Sequence, residues 1–228
     1  MGPGAPVLDS PQMEQHTTAL SNDLQAVTTD VVRMLDLVRE QCRLAYDALI
    51  GGDMGAVARC ADLDERVDGY QEELERRILT IIARRQPTAR DLRFLGGMYR
   101  ALADIERAGD YAVHVARAAQ EIARQPTVER HPDTARILQV LDGMIVETTA
   151  ALAESDGDGA RRAREMDNEI DDLYEQVQRE LLNRMIEDPE RINGAIQLLS
   201  VVRYLERLGD HIENVNEHVI FWLTGERL

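Results

Sequence analysis

Two tandem, similar three-helix bundles, an all-α fold of six long helices, are predicted by three features of the 228-residue sequence. Apolar residues recur every three or four positions over long segments, the signature of amphipathic helix. Breakers are sparse: the 7 prolines all fall between those segments, and Gly51-Gly52 and Gly157 punctuate them further. The second half of the chain also repeats the first in motif and order.

The elements follow in order. The first helix is predicted from Met13 to Ile50, stopping at Gly51-Gly52. Asp53 is placed to cap the second, which continues to Arg85. Pro87-Thr88-Ala89-Arg90-Asp91 reads as a new start, with Thr88 as cap and an acid three residues on, and the third helix runs to Arg124. The fourth covers Asp133 to Glu154 and breaks at Ser155-Asp156-Gly157. The fifth ends near Glu187. Asp188-Pro189 then supplies a cap and a proline for the first turn of the sixth, which reaches Thr224. The expected boundaries are a disordered tail over 1–12, one bundle over 13–125, a linker over 126–132 and a second bundle over 133–228.

The repeat rests on three matches. Leu63-Asp64-Glu65-Arg66-Val67-Asp68 matches Met166-Asp167-Asn168-Glu169-Ile170-Asp171 at an offset of 103 residues. Ala48-Leu49 with Asp53 matches Ala151-Leu152 with Asp156 at the same offset. Ile105-Glu106-Arg107-Ala108-Gly109-Asp110 matches Leu205-Glu206-Arg207-Leu208-Gly209-Asp210 at an offset of 100.

Composition narrows the function. The chain carries 42 acidic against 26 basic residues, a formal charge of −16, and every basic residue is an arginine. Such a chain repels nucleic acid and anionic lipid and suits cations or basic surfaces. Cys42 and Cys60 form no CxxC pattern and no disulfide framework, which points to a reduced, cytoplasmic setting and to small core or surface residues. The N-terminus lacks the basic start and apolar run of a signal peptide. No apolar run is long enough for a membrane span.

The chemistry lies in four acidic pairs: Asp64/Asp68, Glu106/Asp110, Asp167/Asp171 and Glu206/Asp210. Members of a pair are four residues apart and so stack on one helix face, about 5–6 Å between Cβ atoms. Glu106 and Asp110 fall on the line of Leu92, Leu95, Tyr99 and Leu102; Asp64 and Asp68 fall on the line of Ile78 and Ile82. Acids on an apolar stripe are costly unless paired or bound to a cation. The pairs are also symmetric about the turns. Asp64 with Asp110, and Asp68 with Glu106, share the midpoint 87, at Pro87; Asp167 with Asp210, and Asp171 with Glu206, share 188.5, between Asp188 and Pro189. Antiparallel hairpins therefore bring four carboxylates to one level in each half. Their repulsion is relieved by protonation or by a cation, and oxygen ligands suit Mg²⁺ or Mn²⁺, with iron or zinc as alternatives. Glu72 and Glu175 lie two turns beyond Asp64 and Asp167 and are candidate extra ligands. His114 is another, with Asn214 as its counterpart. The competing expectation is a solvated surface in which Arg66, Arg107 and Arg207 neutralise the acids.

Ala89-Arg90-Asp91-Leu92-Arg93 with Asp104-Ile105-Glu106-Arg107-Ala108-Gly109-Asp110-Tyr111-Ala112 resembles the third helix of the PhoU family. Arg203-Tyr204-Leu205-Glu206-Arg207-Leu208-Gly209-Asp210-His211-Ile212-Glu213-Asn214 resembles its sixth. The resemblance spans about residues 14–225. It implies six helices in two bundles, metal ions on the repeated E/D-x-x-x-D carboxylates and no catalysis. It also implies an adaptor, often a homodimer, between the ATPase subunit of a phosphate ABC transporter and a sensor histidine kinase, restraining the phosphate-starvation response. The sequence departs from the family pattern at Tyr111 and His114, where His211 and Asn214 of the second copy stand closer to it.

Three other readings compete. A ferritin-like oxidoreductase needs Glu-x-x-His spacing, which is absent here. A phosphate-handling protein lacks a GxxxxGK[ST] loop, although His211 beside Asp210 invites comparison with a phosphotransfer histidine. A metal-free helical scaffold shares the fold and differs only in its metal content.

Overall fold

The computed structural model describes residues 11–124 and 131–226, with side chains from Thr18 onward. Every regular element among these residues is helical. The expected tail and linker lie for the most part outside them.

Helix α1 (Pro11–Tyr46) runs into a π turn at Asp47–Gly51 and stops where Gly52 adopts a φ of 74°, a left-handed conformation that glycine enters freely. Then come α2 (Gly55–Arg85), α3 (Ala89–Ala123), α4 (Pro132–Glu154), α5 (Gly157–Glu165), α6 (Asp167–Glu187) and α7 (Ile192–Thr224), the last entered through a 3₁₀ turn at Pro189–Arg191. The fifth helix expected from sequence is thus two segments. They part at Met166, whose backbone stays helical at φ −66° and ψ −23°. Here the ladder tightens to i→i+3 bonds: Met166 N–H donates to Ala163 O and Glu169 N–H to Met166 O, each at 3.2 Å. Asn168 Nδ2 satisfies the Glu165 carbonyl at 2.9 Å.

Three aspartates cap helix starts, Asp53 and Asp188 as the sequence predicts and Asp156, expected only as a break, in addition. Gly55 N–H donates to Asp53 Oδ1 (2.9 Å), Asp158 N–H to Asp156 Oδ1 (3.0 Å) and Glu190 N–H to Asp188 Oδ1 (3.1 Å). Thr88 differs, because its side chain makes no capping bond. The α2–α3 turn closes through backbone instead. Gln86 and Ala89 take positive φ values of 49° and 45°, and Asp91 N–H donates to the Thr88 carbonyl at 3.1 Å. Helix α4 gains a cap not anticipated: Asp133 N–H donates to His131 Nδ1 (3.3 Å), while Nε2 of the same buried ring meets Glu180 Oε2 at 3.0 Å.

Helices α1, α2 and α3 pack mutually, as do α4 to α7 with α5 and α6 standing in for one helix, so the chain is two three-helix bundles whose buried side chains form one continuous core. Burial of side chains such as Leu35, Leu74, Leu102, Ile137 and Leu141 contributes roughly 1.5–3 kcal/mol each. The bundles join mainly through α3 and α7, which run antiparallel. Phe94 meets Trp222 edge-on with ring centroids 4.7 Å apart, Asp104 faces His211, Asn214 and His218, and Tyr111 lies 6.2 Å from Tyr204. Because equivalent residues of α3 and α7 are 100 apart, these pairings define a pseudo-two-fold axis near Ala108 and Leu208. A second tie is a fork from Arg39 of α1 to both oxygens of Asp142 in α4, at 2.7 and 2.9 Å. Among the described residues, no helix is long and apolar enough to cross a membrane.

Candidate metal centre

The two hairpins, α2–α3 and α6–α7, carry the eight predicted carboxylates at matched heights on either side of the pseudo-two-fold axis. In each half the acids sense one another. In the first, burial raises the affinity of Asp64 for a proton, and Asp110 and Asp68 add to this against a hydrogen bond from Gln41. Burial likewise raises Asp68, reinforced by Asp110 and Glu72, and Glu106, reinforced by Asp110. In the second, burial raises Asp171, with Asp210 and Glu175 adding, and Glu206, with Asp210 adding. Glu72 and Glu175 therefore stand close enough to feel the clusters, as sequence suggests.

The stripe reading needs one correction. Leu95 and Leu102 are buried, but Leu92 and Tyr99 on the same line are 45% and 38% exposed. The carboxylates thus sit at the margin of the core, with one side dry and one side open to solvent. That geometry lets a hydrated cation enter.

The halves are not equal. Asp167, Asp171 and Asp210 bring one oxygen each within 4.8 Å of one another. Among the described residues, no three of the first-half carboxylates gather this closely. The difference begins one layer deeper. Buried Gln41 of α1 donates Nε2 to Asp64 Oδ1 at 3.0 Å. The equivalent position is Met144, which has no proton to give. Asp167 is accordingly 6% exposed with Oδ1 buried and unpartnered, and burial, then repulsion from Asp171 and Glu213, pushes its carboxyl up to about 7. A buried carboxylate oxygen without a donor calls for a proton or a cation.

The glycine of each E-R-x-G-D motif makes room for this oxygen. A Cβ at Gly209 would stand 2.5 Å from Asp167 Oδ1 and 3.1 Å from Ile170 Cδ1. At Gly109 it would stand 2.8 Å from Gln41 Oε1 and 3.6 Å from Asp64 Oδ1. The arginines also take part, as the solvated-surface expectation holds. Arg107 reaches Asp110 at 3.2 Å and Glu106 at 3.6 Å; Arg207 reaches Asp210 at 3.1 Å and Glu206 at 3.5 Å. Both arginines lie on the open side and reach neither Asp64, which keeps its hydrogen bond from Gln41, nor Asp167. Exposed pairs of this kind stabilise little.

The structure turns His114 elsewhere. Its ring contacts Tyr111 and Tyr204, with centroids 5.9 and 5.2 Å away, at the junction of the halves. His211 and Asn214 also belong to that junction, bonded to Asp104 Oδ1 at 2.9 and 3.1 Å. His211 is thereby held by a carboxylate rather than presented for phosphotransfer. Sequence reasoning missed Gln41, Glu213 and Arg164. Arg164 lies 3.0 Å from Glu213 Oε1 and 3.3 Å from Glu217 Oε1 and brings a cation beside the second cluster. No repeated motif marks these residues, because their counterparts are Met144, Val113 and Ala61. A further group, His131 with Asp133 and Glu180, also brings three donors together, but both ring nitrogens are committed to hydrogen bonds. Cys42 and Cys60 are buried free thiols whose proton affinity burial raises, for Cys60 to about 12, so neither is a thiolate at neutral pH.

Comparison with known proteins agrees with this architecture. The PhoU domain matches twice, over residues 31–119 and 134–219, one per bundle. The phosphate-specific transport system accessory protein PhoU homolog of Deinococcus radiodurans is 42% identical over 209 residues, covering 92% of this chain and 98% of its own. The homolog of that name from Pseudomonas aeruginosa is 32% identical, over 89% of this chain and 84% of its own. The crystal structure of PhoU from Pseudomonas aeruginosa superposes with a TM-score of 0.86 at 32% identity, covering 90% of this chain and 99% of that one. The phosphate transport system regulatory protein PhoU from Streptococcus pneumoniae shares the fold, with a TM-score of 0.85 at 22% identity, over 92% of this chain and 99% of that one. With both bundles matched and relatives aligned along almost their whole length, the chain belongs to the PhoU family.

Proposed function

We propose that this protein is a cytoplasmic, metal-binding adaptor of phosphate signalling. In this reading it negatively regulates the phosphate-starvation response by coupling the ATPase subunit of a phosphate ABC transporter to a sensor histidine kinase. The phosphate role rests on the relatives, which are named phosphate-specific transport system accessory proteins. The metal role rests on one observation above all, the buried, unpartnered Asp167 oxygen within 4.8 Å of two further carboxylates. Asp167, Asp171 and Asp210 would hold a hard divalent ion there, with Glu206 at the rim; Asp64, Asp68, Glu106 and Asp110 form the weaker counterpart. The ion's contribution is charge neutralisation. By cancelling repulsion between α6 and α7 it fixes the hairpin surface offered to a partner. The relatives are named accessory proteins, which supports an adaptor rather than an enzyme.

The test is metal analysis of the purified chain beside its Asp167→Asn/Asp210→Asn variant. The expected result is a loss of bound divalent metal with helical content retained. Equal metal in both proteins would sink the assignment. The adaptor role is tested separately, by co-purification with the transporter ATPase subunit and with the kinase. Capture that weakens under chelation is expected; no capture of either partner would remove the role.

A further inference from the structure

Away from both clusters, on the flank of α2 that faces α1, lies a groove of about 460 Å³ lined by four arginines, Arg76, Arg77, Arg84 and Arg85, and by two acids, Asp23 and Glu73. This is an unusual surface for a chain of net charge −16. From residue 76 to residue 93 there are six arginines and a single acid, Asp91. The four groove arginines divide into two kinds. Arg77 is neutralised by Asp30 and by Glu73, the latter at 2.7 Å, and Arg85 by Asp23 at 2.8 Å. Arg76 and Arg84 are exposed and, among the described residues, form no ion pair. They stand at i and i+8 on one face, about 12 Å apart along the axis. Between them Thr80 keeps the floor low: its hydroxyl donates to the Arg76 carbonyl at 2.8 Å, and its side chain is short.

The fold does not demand this arrangement. The second half places Arg179, Glu180, Asn183, Glu187 and Asp188 at the positions of Arg76, Arg77, Thr80, Arg84 and Arg85. Three of the four cations are acids there, and α6 still forms. Helix-dipole complementation explains cations in the last turn, where Arg84 and Arg85 lie, but not Arg76 two turns earlier.

We propose that this groove binds a soluble phosphoryl anion, and specifically a chain of linked phosphates that bridges Arg76 and Arg84. Planar guanidinium forks match phosphate oxygens two at a time. The paired carboxylates Asp23 and Glu73 hold Arg85 and Arg77 as walls and are themselves neutralised, so they do not repel the ligand. A single phosphate does not span two forks rooted two turns apart; a chain of two or three does.

Isothermal titration of the intact chain in chelating buffer at about 0.15 M salt tests this, the chelator keeping metal-bridged binding at the carboxylates out of the readout. Tripolyphosphate should bind one per chain. Arg76→Gln/Arg84→Gln should weaken it about tenfold or more, the scale of losing charge-assisted bonds to phosphate. Arg179→Gln, at the equivalent place in the second half, should leave it unchanged. Circular dichroism should show equal helix in all three proteins. No binding of tripolyphosphate would overturn the proposal, as would equal binding by the double variant. Orthophosphate binding as tightly as tripolyphosphate would refute the bridged chain. Binding to phosphatidylglycerol vesicles but not to tripolyphosphate would refute a soluble ligand.

Discussion

A single missing side chain decides how closely a carboxylate lies against α7. Gly209 is there because Asp167 Oδ1 occupies the space a methyl would need. Gly209→Ala gains helix propensity of up to about 1 kcal/mol, yet overpacking of this kind costs about 1–3 kcal/mol. Net destabilisation and weaker metal binding are therefore expected from thermal melts with and without metal. Gly96 has open space where its Cβ would be, so Gly96→Ala should stabilise by about 0.5–1 kcal/mol. At the same scale, Asp167 gives a pH dependence. Its folded carboxyl titrates near 7, above the ordinary value of about 4 for an unfolded aspartate. The folded chain then holds a proton that the unfolded chain has released. The resulting stability is complete below about pH 4 and is lost as pH rises through 7. In chelator, melting temperature should fall between pH 5 and pH 8, by on the order of a few kcal/mol in stability. Divalent metal should restore it at the alkaline end, and Asp167→Asn should flatten the slope. A flat profile in the unmodified chain would contradict the buried-acid reading.

At the scale of the element, the sequence was most legible where chemistry is local. Asp53 and Asp188 cap as aspartate before a helix should, and Pro87 and Asp188-Pro189 mark the two hairpin turns about which the acids are symmetric. Asp188→Ala should cost about 1 kcal/mol by urea unfolding. Thr88→Ala should cost a few tenths at most, because Thr88 has the residue type of a cap but a side chain turned away from the helix start. The break at Met166 was illegible: no glycine or proline marks it, and its backbone stays helical while only the hydrogen-bond ladder changes step. The site was legible to the same limit. Four-residue spacing and turn symmetry name all eight acids. They cannot name Gln41, because what makes it matter is a helix that comes alongside only on folding. Nor could spacing reveal that His114 faces α7, since that face is defined by the other half of the chain.

For the whole molecule, Asp104 is the connection that counts. Burial works against its charge, but hydrogen bonds from His211, His218 and Asn214 prevail and hold it well below the usual carboxylate range. An ionised carboxylate only accepts, so each of the three α7 side chains donates to it. Asp104→Ala leaves three polar groups at the junction without their acceptor and should cost about 2–4 kcal/mol. That corresponds to a melting point lower by roughly 4–16 °C in a chain of this length. Scanning calorimetry checks it, and a change under 1 °C would show that the clasp contributes nothing.

The clasp has no twin. Across the axis its place is taken by Tyr204 against Tyr111 and His114, so the seam beside the axis is ionic on one side and aromatic on the other. A duplicated gene begins with interchangeable halves, and these no longer are. Two copies of the first half, docked the same way, would set Asp104 against Tyr111, His114 and Ala118, a phenol, one imidazole and a methyl in place of two imidazoles and an amide. Two copies of the second would leave His211 and His218 looking at a phenol. Divergence has made each half the other's mate instead of its own, and a recombinant that doubled either one would inherit a full set of acids without the clasp between Asp104 and its three partners.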